Sequence, residues 1–266
     1  KEECNSDDAD AAAQHGHLEA IRQLRAYHSH CTQNGANNAA TLGHLDVIRD
    51  LRDHEIHCTA DGALFAAWNG YLEVVRDLRE HGIHCNIQAA DAAAMNGHLE
   101  VVQDLRAHGV HCTLTGVDQA AANGHLEVVR YLRARDIHCM SWAADWAAGC
   151  GHLHVIRDLR AHSVHCSWRG ADAAARRGRL EVIRDLRENG IHCTFAGADV
   201  AAASGHLEVV RDLRAHVSIV PLLEQMVQLR TGHLEVVRDL EAHGIDDECE
   251  DEDENGDDTD KETCGS

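Results

Sequence analysis

Ala93-Ala94-Met95-Asn96-Gly97-His98-Leu99-Glu100-Val101-Val102-Gln103-Asp104-Leu105 decides the architecture, because close variants of it return along the whole chain. The Gly-His-Leu-Glu-Val-Val-Arg-Asp-Leu portion, with small changes, begins at Gly16, Gly43, Gly70, Gly97, Gly124, Gly151, Gly178, Gly205 and Gly232, always 27 residues apart. Nine starts at one unbroken period define a tandem array in which every unit meets its neighbours in the same way. Within a unit, Leu99, Val102 and Leu105 recur at helical spacing with Val101 beside them, while Glu100, Gln103, Asp104 and Arg106 lie opposite. This predicts an amphipathic helix over 98–108, ended by Gly109 in the left-handed position that glycine tolerates best. Residues 91–96 read as a short alanine-rich helical turn closed by Gly97. Val110-His111-Cys112-Thr113 reads as an extended link, with Gly116-Val117-Asp118 opening the next first helix. Each unit is then an antiparallel helix pair, and the chain is all-α.

Around the array the composition excludes several functions. The formal net charge is −21, of which residues 246–266 carry −11. An acidic balance speaks against a nucleic-acid backbone as partner, which needs a basic footprint. No stretch approaches the roughly 18 apolar residues of a membrane helix. Eleven cysteines, an odd number spaced with the repeat, fit reduced thiols and a cytoplasmic setting. Because the sequence begins at Lys1 rather than methionine, an extracellular setting stays open.

At residues 93–102 the chain resembles an ankyrin repeat, which carries the same Ala-Ala-x-x-Gly-His-x-Glu-Val-Val core into its second helix. The resemblance spans residues 1–245. It implies a solenoid of nine helix pairs that recognises proteins along one face, followed by a disordered acidic tail over 246–266. These units are six residues short of the family's 33, and the gap falls where the family projects a β-hairpin finger. Recognition is therefore expected on the first helices and short links. The histidines after the helix-opening glycine sit where the family places a structural histidine that bonds across units.

Residues that vary between units are free for a partner. Trp68, Trp142, Trp146 and Trp168, with Phe65 and Phe195, all fall at such positions, and Arg169, Arg176 and Arg177 lie near the last tryptophans. Aromatic and arginine side chains supply most hot-spot energy at interfaces, so these nine are the expected partner-binding residues. The alternative is that the aromatics fill local gaps beside alanine. No nucleophile elbow, phosphate loop or metalloprotease helix is present, so neither enzymatic activity nor a cofactor is expected.

Other features read as structural. His-Cys recurs at 30–31, 57–58, 84–85, 111–112, 138–139, 165–166 and 192–193. Equivalent thiols one layer apart, near 10 Å, cannot share a tetrahedral metal ion, so a row of buried thiols is expected and metal handling is the lesser alternative. The aspartates at 10, 91, 118, 145, 172 and 199 are expected to cap the first helix or pair with histidines. The Glu, Arg and Asp rows of the second helix are expected to be a solvated face. Asp251, Asp253, Asn255 and Glu262 match a twelve-residue calcium loop, but Asp258 fills its usual apolar position. The expected function is a protein-interaction scaffold, monomeric or stacked end to end, the latter as a fibre or shell element.

Overall fold

The computed structural model describes residues 6–216, which form eight helix pairs. The first helices are α1 (Ser6–Gln14), α3 (Gln33–Thr41), α5 (Ala60–Trp68), α7 (Ile87–Met95), α9 (Leu114–Ala122), α11 (Ser141–Cys150), α13 (Trp168–Arg176) and α15 (Phe195–Ala203). The second helices are α2 (Leu18–Ala26), α4 (Leu45–Asp53), α6 (Leu72–Glu80), α8 (Leu99–Ala107), α10 (Leu126–Arg133), α12 (Leu153–Ala161), α14 (Leu180–Glu188) and α16 (Leu207–His216). The ninth sequence copy, the acidic segment 246–266 and its calcium-loop pattern lie outside the described residues.

Helix pairs stack in sequence order, with first helices packed closely on one another and second helices meeting at fewer points. The reason is side-chain size. Ala89, Ala90, Ala93 and Ala94 on α7, and their equivalents, are buried and let neighbouring backbones approach. Val101, Val102 and Leu105 close the core from the second helix. Between the two helices Gly97 adopts φ +80°, and the His125 ring of the next unit packs where a Cβ would stand. Glycine is required there twice over, by conformation and by space.

The first helices start earlier than the alanine-rich core suggests. α7 begins at Ile87 and α9 at Leu114 because Asn86 and Thr113 turn the chain as N-caps. The Thr113 hydroxyl accepts the Thr115 N–H at 3.1 Å. The repeated aspartates do not cap their own helix. Asp91 accepts the Thr113 N–H at 2.7 Å and the Thr113 hydroxyl at 2.6 Å, and Asp10, Asp145 and Asp172 hold the cap residue of the following unit in the same way, whereas a buried oxygen of Asp199 has no hydrogen-bond partner among the described residues. Histidines partner backbone instead: the His44 ring donates to the Gln14 carbonyl at 3.0 Å, and that of His206 to Arg176 at 2.9 Å.

Of the charged rows of the second helix the glutamates face solvent, but the aspartates do not. Asp77, whose side chain is only 5% exposed, accepts from Arg49 Nε at 2.8 Å and from Arg52 at 2.5 Å, both in the preceding unit. The same three-residue clamp recurs at Asp50, Asp104, Asp158, Asp185 and Asp212. It is absent at one junction, where Gln103 replaces the first arginine and Tyr131 the aspartate. There Arg135 stacks on the Tyr131 ring, 3.5 Å from its centroid. The thiols form a third row of cross-unit contacts. Cys58 donates to the Ala36 carbonyl at 3.3 Å and Cys112 to Ala90 at 3.3 Å. Burial pushes these thiols up to about 11 and about 12, so they remain protonated donors.

Two consequences are measurable. Replacing Asp77 by alanine removes charge-assisted hydrogen bonds and should cost about 2 kcal/mol in urea unfolding. Glu73 pairs only with exposed Arg76 one turn away, and its replacement by alanine should change stability by less than about 0.5 kcal/mol. Equal effects would contradict the clamp. The second concerns acid. Burial alone would raise the carboxyl pKa of Asp77, but hydrogen bonds from Arg52 and Arg49 and their charges outweigh it and hold it below the usual range. The other five clamp aspartates share this direction. The folded chain then binds fewer protons than the unfolded one. This stability is present above the ordinary carboxylate pKa of about 4 and is lost as pH falls through the depressed values. Urea midpoints should therefore drop steeply below pH 4, and a flat profile from pH 5 to 3 would show that the clamps do not form in solution.

Candidate functional site

Every sequence-predicted aromatic falls on a first helix rather than in a link. Phe65 and Trp68 lie on α5, Trp142 and Trp146 on α11, Trp168 opens α13 and Phe195 opens α15. Their side chains are all exposed, whereas the recurring apolar residues of the second helix are buried or half-buried.

One face of the first helices gathers the variable residues, and helical spacing explains why. Trp142, Trp146 and Gly149 stand four and three residues apart, as do Arg169, Ala173 and Arg176 on the next first helix. In the 27-residue register these two triplets occupy the same positions. Stacking α11 on α13 therefore sets an aromatic stripe beside an arginine stripe. Gly149 brings the helices close: a Cβ there would lie 3.0 Å from that of Ala173. The two stripes enclose a groove of about 350 Å³ between α11 and α13.

Its walls are aromatic and cationic. Trp142 and Trp146 meet edge to face with centroids 6.1 Å apart, and Trp146 keeps 62% of its surface exposed. The Arg169 guanidinium lies over the Trp168 ring, 5.0 Å from its centroid. Arg177 donates to the Cys150 sulfur at 3.2 Å. Asp145, on the floor, accepts the Ser167 N–H at 2.6 Å and the Ser167 hydroxyl at 2.7 Å, which ties it to its structural role. Among the described residues no carboxylate pairs with Arg169, Arg176 or Arg177, unlike the clamp arginines of the second helices.

The groove is thus lined by five of the nine predicted residues, Trp142, Trp146, Arg169, Arg176 and Arg177, and Trp168 adjoins it beneath the Arg169 guanidinium. Phe65 and Trp68 stand apart, because α7 and α9 intervene, and Phe195 lies one unit beyond, at the register position of Trp168. Sequence reasoning missed Ile87 and Leu114, which share that register position and are 54% and 49% exposed. It also missed Met140, which takes the place of the usual Thr or Ser before α11 and leaves that helix without a side-chain cap. Aligning the chain on its own period would have shown all three.

Among the described residues no group of His, Cys, Asp and Glu could hold a metal ion, and no helix is long and apolar enough to cross a membrane. Comparison with known proteins bears on the fold and the family. The sequence pattern of ankyrin repeats in many copies matches residues 64–106 and 90–133. Of solved structures, the human ASB11 ankyrin repeat domain is similar, with a TM-score of 0.52 at 18% identity, covering 68% of this chain and 97% of that one. The pentatricopeptide repeat protein PPR10, solved with an 18-nt psaJ RNA element, aligns with a TM-score of 0.47 at 10% identity, over 89% of this chain and 43% of that one. No curated protein sequence matches the chain. The ankyrin-repeat pattern thus matches the centre of the chain, and its stacked helix pairs share the fold of an ankyrin repeat domain.

Proposed function

We propose that this chain is a non-enzymatic scaffold that binds a protein partner through the α11–α13 groove. Ankyrin repeats generally mediate protein–protein interaction. The observation that carries the reading is the coincidence of three exposed tryptophans with three arginines that pair with no carboxylate among the described residues. Five of the six line the groove and Trp168 adjoins it, on helices whose counterparts in other units carry mostly small or polar residues there. Desolvating such aromatics against a partner gives affinity, and guanidinium forks give direction to polar contacts. Ile87, Leu114 and Phe195 extend the same face on either side and would add contact area around that centre.

Stability separates this reading from gap-filling. A tryptophan that filled a cavity would cost about 3–5 kcal/mol on replacement by alanine. An exposed one should cost no more than about 0.5 kcal/mol. Trp146→Ala is therefore expected to leave the urea midpoint essentially unchanged. The triple variant Trp142→Ala, Trp146→Ala, Trp168→Ala should still unfold cooperatively, while partner affinity in pull-down and calorimetry drops about 30-fold or more. Unchanged capture by a folded triple variant would overturn the assignment.

A further inference from the structure

Arginine is placed in this array with a pattern that the binding reading leaves unexplained. In the other described units it belongs to the second helix or the turn directly after it, where most copies pair with a clamp aspartate. Only the unit built on α13 differs: it has Arg169, Arg176 and Arg177 on the first-helix face and Arg179 in place of the usual histidine. All four are exposed. The only carboxylate lining the groove is Asp145, and it is already bonded to Ser167. The site is thus a local cationic patch on a strongly acidic chain. At physiological salt the Debye length is about 8 Å, so more distant carboxylates do little to cancel it.

We propose that the groove's occupant in the free chain is the chain's own acidic segment, residues 246–266. The inference rests on the reading of the groove as a binding site and adds its regulation. Twelve carboxylates stand against the single Lys261 in that segment, the densest charge in the sequence and opposite in sign to the groove. Guanidinium groups take carboxylates in bidentate pairs, and Arg169, stacked on Trp168, already presents its plane.

Reach is ample. The described chain ends at His216, one helix pair beyond α13–α14. Even with a ninth unit stacked after it, two or three layers of about 10 Å separate the groove from residue 246. Twenty-one residues span up to about 70 Å when extended. Tethering sets the effective concentration near 1 mM, so an intrinsic affinity of about 0.1 mM keeps the groove about nine-tenths filled. An incoming partner must then displace the segment, at a cost of about tenfold in apparent affinity.

The test keeps the chain at full length. One variant replaces the twelve Asp and Glu residues of 246–262 by Asn and Gln. A labelled synthetic peptide of residues 246–266 is titrated by fluorescence anisotropy into this variant and into the wild type, at low salt and in 0.5 M NaCl. Binding to the neutralised variant with a Kd of about 0.1 mM or tighter, about tenfold weaker binding to the wild type, and loss of binding at high salt are expected. Adding Arg169→Gln, Arg176→Gln and Arg177→Gln to the neutralised variant should abolish binding while the helical circular dichroism melt is kept. Arg176→Gln alone, at an exposed position, serves if the triple variant melts early. Equal affinity for wild type and neutralised chain, or no binding below about 1 mM, overturns the proposal. Partner capture reports separately: a tryptophan-dependent partner with no peptide binding leaves the scaffold reading standing and removes this one. Peptide binding with tryptophan-independent capture does the reverse.

Discussion

A nine-residue helix made mostly of alanine is too short to persist alone in water, and its partner helix carries only a narrow apolar stripe. Neither can bury enough surface within one unit. The array therefore depends on contacts with the next unit, and the structure shows five such rows in parallel: alanine on alanine, imidazole on backbone, thiol on carbonyl, carboxylate on the next helix cap, and carboxylate between two arginines. The last is the costliest to disturb, because the aspartate is buried and is compensated only by its neighbour. Its geometry sets the distance and rotation between units, and these carry the first-helix faces into line.

That alignment produces the groove. Because successive units superpose in register, a residue change at one position of one unit is laid beside the same position of the next. Trp142, Trp146 and Gly149 against Arg169, Ala173 and Arg176 are six ordinary surface substitutions with no long-range design between them. The scaffold converts them into a cleft with one aromatic and one cationic wall. The departures from the period make the groove, and the period determines where each departure is displayed.

Much of this was legible in the sequence. The period, the second helix and the glycine turns follow from hydrophobic spacing and backbone preference alone. The start of the first helix did not, because Thr113 and Asn86 look like link residues until their capping geometry is seen. Asp91 and Asp104 were misplaced for a shared reason: their partners lie 22 to 28 residues away, beyond any local pattern. A charged row recurring every 27 residues has the same composition whether it faces water or a neighbour. The nine residues proposed for a partner are all exposed, but only five line the groove, since the sequence does not say that α7 and α9 separate α5 from α11.

The junction between Gln103 and Tyr131 has a further meaning in terms of descent. Each clamp has its donor half in one unit and its acceptor half in the next. Deleting or duplicating any whole block of 27 residues therefore rejoins a donor to an acceptor, and array length is free to change one unit at a time. Gln103 and Tyr131 are the exception. Duplication inside that pair would set Gln103 against an aspartate that has lost one arginine, or Tyr131 against an arginine that has lost its aspartate. An array that keeps every clamp must therefore gain or lose these two units together, a fixed seam in a chain whose other units can be added or removed singly.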